Sequence, residues 1–197
     1  MPQPLKQKAG YEDLFSLPEN MTGEIIEGEL VAAPRPSRRH AVAASALGYQ
    51  IGPPYHFGAG GGPGGWIILH EPEIAFGEDI LVPDLAGWKE ERFPETEEQN
   101  WLSVAPDWVC EILSPTSVRI DRRQKMRIYA THNVPYAWLV DPLQMLLEVF
   151  RLEAGRWIVL GVHGESEKVQ AEPFQEVELD LAALWVERRR HRQYERA

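Results

Sequence analysis

The sequence predicts an α/β fold with a central mixed β-sheet flanked by few helices. Short apolar segments rich in β-branched and aromatic residues recur between turn residues, and two longer segments place apolar residues at helical spacing. The composition is that of a globular protein, with 44% hydrophobic and 25% charged residues. A chain of 197 residues buries about 70% of its unfolded surface as one unit. We therefore expect a single domain over residues 1–197.

The N-terminal part predicts a short helix, a hairpin and a longer helix. Residues 11–17 have approximate helical spacing and end before Pro18. The segment EIIEGELV predicts two short strands that turn at Gly28, since glycine tolerates positive φ. From His40 to about Ile51, alanines and spaced aliphatic residues predict a helix.

The middle of the chain predicts three strands. WIILHEPEIAF (66–76) and ILVPDLAGW (80–88) predict an antiparallel pair with a turn at Gly77. DWVCEIL (107–113) has apolar residues in both alternating sets, which predicts a central strand buried on both faces. This strand contains the single cysteine, Cys110, which excludes an intramolecular disulfide and a cysteine-based zinc cluster.

The C-terminal part predicts a helix followed by antiparallel strands. Residues 119–132 have the clearest helical pattern in the chain. Three further strands are predicted at YAWLVD, MLLEVFR and RWIVLGV, which turn residues separate. The final segment LAALWVERRRHRQYERA begins as a helix and ends in a basic tail over 188–197.

The charge of the chain is negative overall but unevenly distributed. A net charge of −10 argues against a protein that binds nucleic acid through bulk charge. Basic clusters remain, and they suit either local phosphate-facing patches or solvated helix faces: Arg35, Arg38 and Arg39, then Arg119, Arg122, Arg123, Lys125 and Arg127. No apolar run reaches the roughly 18 residues of a membrane span, and the first residues lack a signal-peptide pattern. We expect a cytoplasmic protein with no membrane partner.

Two carboxylates stand out because they lie inside apolar strands. Asp84 interrupts ILVPDLAGW and Glu111 interrupts DWVCEIL. A buried carboxylate needs a partner, and two that share one face of a sheet repel each other unless a cation lies between them. Magnesium suits such a pair, since it binds one or two carboxylates together with water and substrate phosphate. The alternative is that each acid caps a loop or pairs with an arginine.

An ordered series of motifs resembles the Uma-type restriction endonuclease family, a branch of the PD-(D/E)XK nuclease superfamily. The series spans residues 11–152 approximately and comprises Glu24 to Leu30, His40, Pro83-Asp84, Glu111-x-Leu113, Ser114-Pro115-Thr116-Ser117, Asp121, Lys125, Tyr129 and the run from Val134 to Pro142. The resemblance implies a restriction-endonuclease-like core, with an N-terminal hairpin and additional C-terminal antiparallel strands.

The resemblance also implies the site residues. Asp84 and Glu111 are expected to be catalytic and to bind Mg²⁺, for which Mn²⁺ substitutes. The superfamily usually has a lysine two residues after the glutamate, where this chain has Leu113. Lys125, on the following helix, matches a lysine that has moved there within the family. Glu24 is expected to assist catalysis.

Four further residues are supporting candidates, each with a plainer interpretation. His40 could contact phosphate or transfer a proton, or simply pack at the start of its helix. Glu73 shares an alternating strand face with Glu71 and is expected to point toward Asp84. Asp121 and Tyr129 each lie four residues from Lys125 on one helix face, where a surface ion pair beside a core aromatic ring is the alternative.

These observations favour a Mg²⁺-dependent endonuclease that hydrolyses DNA. The alternative is a catalytically degenerate nuclease fold that binds nucleic acid or protein, which the net charge and Leu113 favour. A glycoside hydrolase that uses Asp84 and Glu111 as acid and base is a third possibility. The aromatic residues of the late strands, among them Phe150 and Trp157, also suggest a homodimer formed through the C-terminal strands.

Overall fold

The computed structural model describes residues 8–95 and 99–185. Its α-helices are α1 (Tyr11–Leu14), α2 (Arg38–Ile51), α3 (Val118–Ile120) and α4 (Met126–Thr131). One π-helical segment, Asp121–Lys125, joins α3 to α4, and another, Gly52–His56, follows α2. The strands are β1 (Met21–Ile26), β2 (Glu29–Pro34), β3 (Trp66–His70), β4 (Ile74–Phe76), β5 (Asp79–Leu81), β6 (Leu85–Lys89), β7 (Trp108–Ile112), β8 (Tyr136–Asp141), β9 (Leu146–Glu153), β10 (Arg156–Gly164), β11 (Lys168–Val169) and β12 (Leu179–Asp180).

A six-stranded mixed sheet forms the centre of the molecule, in the order β10-β9-β8-β7-β6-β3. Within it β7 and β8 are parallel, and the other neighbours are antiparallel. A second, antiparallel sheet has the order β2-β1-β5-β4, and β11 pairs with β12. The predicted α/β class with a mixed sheet and few helices is confirmed.

The predicted strands 66–76 and 80–88 are each wrong as single strands. Each one splits into two strands that belong to different sheets: β3 and β6 pair in the central sheet, and β4 and β5 pair in the second. The breaks fall at Pro72 and Pro83, which have no backbone N–H to donate to a β-ladder. Glu71, with φ of 48°, adds to the first break.

Strand β7 lies between two hydrophobic cores, as its sequence predicted. Trp108, Cys110 and Ile112 point to the core on the side of α2. Val109 and Leu113 point to the opposite core, to which α4 contributes. Every residue of the strand is buried, including the carboxylate-bearing Glu111.

The two longer predicted helices, 40–51 and 119–132, are present, with one local departure in the second. Helix α2 begins at Arg38, where the Ser37 hydroxyl accepts the His40 backbone N–H at 3.4 Å. The predicted helix 119–132 corresponds to α3, the π segment and α4. The last predicted helix is only a 3₁₀ turn, Leu181–Leu184, and the basic tail 188–197 lies outside the described residues. Over residues 8–95 and 99–185, no helix is both long and apolar enough to cross a bilayer.

Candidate active site

Asp84 and Glu111 meet on the same side of the central sheet. Asp84 directly precedes β6, and Glu111 lies within β7. Leu85 is opposite Cys110 in this antiparallel pair, so the register continued by one residue sets Asp84 opposite Glu111. Opposed residues project from one face with Cβ atoms about 4.5–5.5 Å apart. Both acids line one cavity of about 480 Å³.

Asp84 is held by two hydrogen-bond partners. Its Oδ2 accepts the backbone N–H of Ile112 at 2.7 Å, and its Oδ1 lies 2.6 Å from Nε2 of His40. Burial lowers the pKa of His40, but the hydrogen bond to Asp84 and its charge outweigh burial and leave that pKa raised. The ring is therefore placed to donate to Asp84, and the N-terminus of α2 brings it there.

Lys125 brings a buried ammonium group into the acidic cluster. Its Nζ lies 2.9 Å from Oε1 of Glu24, 3.0 Å from Oε1 of Glu111 and 3.7 Å from Oδ1 of Asp121. Burial lowers the pKa of Lys125, but the neighbouring carboxylates outweigh it and hold that pKa well above its usual value. The lysine therefore stays protonated at neutral pH.

The π-helical segment adapts the helix to this position. The Met126 N–H donates to the carbonyl of Asp121, five residues earlier. Both Asp121 and Lys125 are buried in this segment, so the pair is not the surface ion pair that was the plainer interpretation of the sequence. π-Helical turns of this kind are frequent at functional sites.

Glu111 is the most enclosed acid of the cluster. The Tyr129 hydroxyl donates to its Oε1, and Lys125 contacts both carboxylate oxygens. Burial raises the pKa of Glu111 well above its usual value, and the nearby acids Asp121, Asp84 and Glu24 raise it further. Burial likewise raises the pKa of Tyr129, which therefore remains a donor.

Glu24 and Asp121 also belong to the acidic wall of the cavity. Glu24 lies on β1, and its Oε1 accepts the backbone N–H of Val82 at 2.7 Å as well as contacting Lys125. Burial raises the pKa of Asp121, while Lys125 and a hydrogen bond from Ser117 oppose that rise. The acids that line the cavity beside Lys125 and His40 are Glu24, Glu71, Asp84, Glu111 and Asp121.

Of the candidates, Glu73 and Tyr129 do not line the cavity, but Tyr129 bonds to Glu111, whereas Glu73 bonds elsewhere. Its Oε2 accepts the Tyr11 hydroxyl at 2.5 Å, in contact with the N-terminal helix. The expectation for Glu73 is wrong because the strand breaks at Pro72, which ends the alternation that would have carried Glu73 toward Asp84. Glu71 lines the cavity instead.

The cavity also contains residues that the sequence analysis did not assign to the site. Glu71 and Ser37 line it, and no motif marked either of them. A cluster of hydroxyl groups borders it, in which the Ser114 Oγ lies 3.0 Å from Thr116 Oγ1 and 2.9 Å from Ser117 Oγ. These hydroxyls belong to the Ser-Pro-Thr-Ser motif, which is part of the family resemblance but to which the sequence assigned no function. Arg35, from a basic cluster, lines the cavity as well.

The donor set suits a hard cation such as Mg²⁺. Carboxylate oxygens face the cavity, and the neighbouring acids add to burial in raising the pKa values of Glu111 and Asp121. Among residues 8–95 and 99–185, no three His, Cys, Asp or Glu side chains form a ready-made metal cage. Asp84 and Glu111 are the residues positioned to hold such an ion, and magnesium sites commonly take their other ligands from water and substrate oxygens.

Comparison with known proteins agrees with the resemblance seen in the sequence. The sequence profile of the Uma2 family, described as "Putative restriction endonuclease", matches residues 11–183, further than the motifs alone extend. Among solved structures, a putative nuclease of DUF820 from Anabaena variabilis has a TM-score of 0.66 and 24% identity, covering 89% of this chain and 97% of that chain. This likeness shows a common fold. No match is found among curated protein sequences.

Proposed function

The chain belongs to the Uma2 family of putative restriction endonucleases, and from this premise we propose that it is a Mg²⁺-dependent endonuclease that hydrolyses DNA phosphodiester bonds. One observation carries the proposal: a carboxylate just before β6, another on the neighbouring β7 and one buried ammonium group line a single cavity. Carboxylates can hold a divalent ion there, and the ammonium group adds positive charge beside it, which suits metal-assisted phosphate hydrolysis.

Asp84 and Glu111 are the residues that would hold the ion. Magnesium bound there would polarise a phosphate oxygen and lower the pKa of a bound water. Hydrogen bonds from neighbouring groups hold both carboxylates in defined orientations. The Ile112 N–H and His40 orient Asp84, and the Tyr129 hydroxyl orients Glu111.

Lys125 supplies positive charge where negative charge develops in the reaction. Its Nζ lies 3.0 Å from Glu111, at the wall of the cavity, and its raised pKa keeps it protonated. A fixed ammonium group donates to a phosphate oxygen and stabilises the charge of the transition state. Glu24 assists by anchoring this ammonium at 2.9 Å, so that Lys125 reaches the site from the helix although residue 113 is leucine.

Exposed arginines that line the cavity, or that are close in sequence to residues lining it, support a polyanionic substrate. Arg35 lines the cavity, and Arg38 lies in the first turn of α2, two residues before His40. Arg119 and Arg123 are exposed on the helix that carries Lys125. Arginine side chains bind phosphate groups through several N–H donors. They provide local attraction on a chain of net charge −10, so binding should weaken steeply as salt increases.

Plasmid cleavage with Mg²⁺ or Mn²⁺ tests the proposal directly. Asp84→Asn and Glu111→Gln should each lose about 100-fold or more of the cleavage rate, since each removes a charged ligand. Glu73→Gln is the matched control, because it makes the same chemical change at a carboxylate outside the cavity. Circular dichroism and thermal melting establish that each variant is folded.

The outcome separates the competing functions. Equal cleavage by the wild type and by Asp84→Asn contradicts the proposed site. A wild type that binds DNA without cleaving it, and with no Mg²⁺ binding that depends on Asp84, indicates the degenerate binding module instead. If the protein cleaves RNA and leaves DNA intact, the proposed site stands but the proposed DNA substrate is wrong.

A further inference from the structure

The row of acids at the end of the central sheet includes a third member beside Asp84 and Glu111. In the antiparallel pair of β3 and β6, His70 is opposite Leu85, so the register continued by one residue sets Glu71 opposite Asp84. The Glu71 N–H donates to the Asp84 carbonyl at 3.1 Å, so this pairing continues past the end of β3. The register of β6 and β7 sets Asp84 opposite Glu111 in turn. Three carboxylates therefore follow one another across three neighbouring segments, with Asp84 in the middle.

The three side chains of this row share one cavity. Glu71, Asp84 and Glu111 all line the same space of about 480 Å³. Neighbouring strands lie about 4.8 Å apart, so the row spans roughly 10 Å from Glu71 to Glu111. Glu111 is buried, Asp84 is half-buried and Glu71 is exposed. Glu71 is therefore the member of the row that lies nearest to solvent.

The Glu71 carboxylate differs from its neighbours in having no partner. Across residues 8–95 and 99–185, its side chain forms no hydrogen bond and no salt bridge. The carboxylates of Asp84 and Glu111 are each held by two groups of the protein. Glu71 therefore keeps its full capacity to accept hydrogen bonds from a molecule that enters the cavity.

The backbone fixes Glu71 at the edge of the cavity. Its φ is 48°, in the left-handed region that residues other than glycine seldom adopt. Pro72 follows directly and has no N–H to continue the ladder of β3. A residue in this conformation costs energy, and such residues persist where the surrounding structure holds them, often at functional sites.

The arrangement suits contact with an ion through water. Within the described ranges, no three His, Cys, Asp or Glu side chains are placed to hold one ion together, so Glu71 is not a third direct ligand. Magnesium keeps several of its waters when one or two carboxylates bind it. Groups that hydrogen-bond the ligands of a metal commonly change its affinity by about 10- to 100-fold.

We propose that Glu71 is the third carboxylate of the ion site, where it accepts hydrogen bonds from water that the ion retains beside Asp84. This inference rests on the proposed function, in which Asp84 and Glu111 hold Mg²⁺. It assigns the exposed end of the row, rather than the buried end at Lys125, to the water of the ion. Glu71 acts through that water and is a positioning residue.

Binding of Mn²⁺ without DNA tests the proposal, with the free ion measured by electron paramagnetic resonance. Glu71→Gln should raise the Mn²⁺ dissociation constant about 10-fold or more. Glu73→Gln is the matched control, since it makes the same change two residues away at a carboxylate bonded to Tyr11 outside the cavity, and it should leave that constant unchanged. The Glu71 side chain is exposed, so its variant should fold, which thermal melting in metal-free buffer checks.

High salt separates a local contact from a distant charge. In 0.5 M KCl the Debye length is about 4 Å, so attraction between the ion and a carboxylate outside its hydration shell is screened. The loss of affinity in Glu71→Gln should persist in this buffer. A loss that disappears at high salt overturns the proposal, because Glu71 would then act only through the field of the cavity. Equal Mn²⁺ affinity of Glu71→Gln and the wild type overturns it as well.

The same measurements distinguish this inference from the proposed function. If binding of Mn²⁺ is lost in Asp84→Asn but unchanged in Glu71→Gln, the ion site stands and only the role of Glu71 is wrong. If the wild type and Asp84→Asn bind Mn²⁺ equally, or neither binds it, the ion site itself is wrong and the role of Glu71 is wrong with it.

Discussion

Replacing Lys125 by methionine should destabilise the protein by about 3–5 kcal/mol in metal-free buffer at pH 7.5, because it leaves buried charges without their partner. The Lys125 side chain is 4% exposed and lies within 4 Å of carboxylate oxygens of Glu24, Glu111 and Asp121. Methionine fills a similar volume but offers no charge. Urea unfolding measures the loss, followed by the fluorescence of indoles that are fully buried at Trp88, Trp108, Trp138 and Trp185.

The loss should depend on pH in a defined direction. Burial raises the pKa of Glu111 above its unfolded value of about 4.3, so the stability that depends on this group falls as the pH rises above that value. Without the lysine that opposes it, this rise in pKa is larger, so the loss should be greater at pH 8 than at pH 5.5. The raised pKa of Lys125 adds no slope here, since its stabilising effect is lost only above its unfolded pKa, about 10.4.

The control is Lys168→Met, which breaks an exposed ion pair with Glu178 and should leave the unfolding curve unchanged within error. A loss below about 1 kcal/mol for the Lys125 variant would refute the reasoning, since that is the range of exposed pairs. Equal losses at pH 5.5 and pH 8 would also refute it, because buried carboxylates without a cationic partner make the free energy of unfolding depend on pH.

Further predictions concern the core, the cluster and the ion. Tyr129→Phe should cost about 1–3 kcal/mol in urea unfolding because a buried carboxylate loses a donor, whereas Tyr49→Phe, at an exposed ring, should not change the midpoint. Phe174→Ala should cost about 3–5 kcal/mol in the same assay, since its ring fills a space among three indoles. If Asp84 binds the ion, Mg²⁺ should raise the melting temperature of the wild type in thermal scans; an equal rise for Asp84→Asn would contradict that role.

The sequence alone predicted those elements whose pattern is local. DWVCEIL was placed correctly at the centre of the sheet, since apolar residues in both alternating sets leave no face for water. The hairpin turn was placed correctly too, with φ of 55° at Glu27 and 77° at Gly28. In both cases the deciding interactions lie within a few residues.

The contacts within the candidate site could not be predicted from the sequence in the same way, because they join segments that are far apart along the chain. Glu24 and Lys125 are far apart along the chain but 2.9 Å apart in space. The π-helical turn adds one residue between hydrogen-bonded groups, a change that an average helical period does not reveal. The motif series did single out both side chains, but it carried no information on which of them touch.

The same proline that made the strand prediction wrong also helps to build the site. Pro83 ends β5 before β6 begins, so the chain passes from the second sheet to the central one between Val82 and Leu85. The Val82 N–H, free of any ladder, donates to Glu24 at 2.7 Å and ties β1 to the cavity. Asp84, at the start of the next strand, then faces the cavity with both oxygens bonded. An uninterrupted strand would have committed these backbone groups to neighbouring strands, so the break is what allows acids from two sheets to converge.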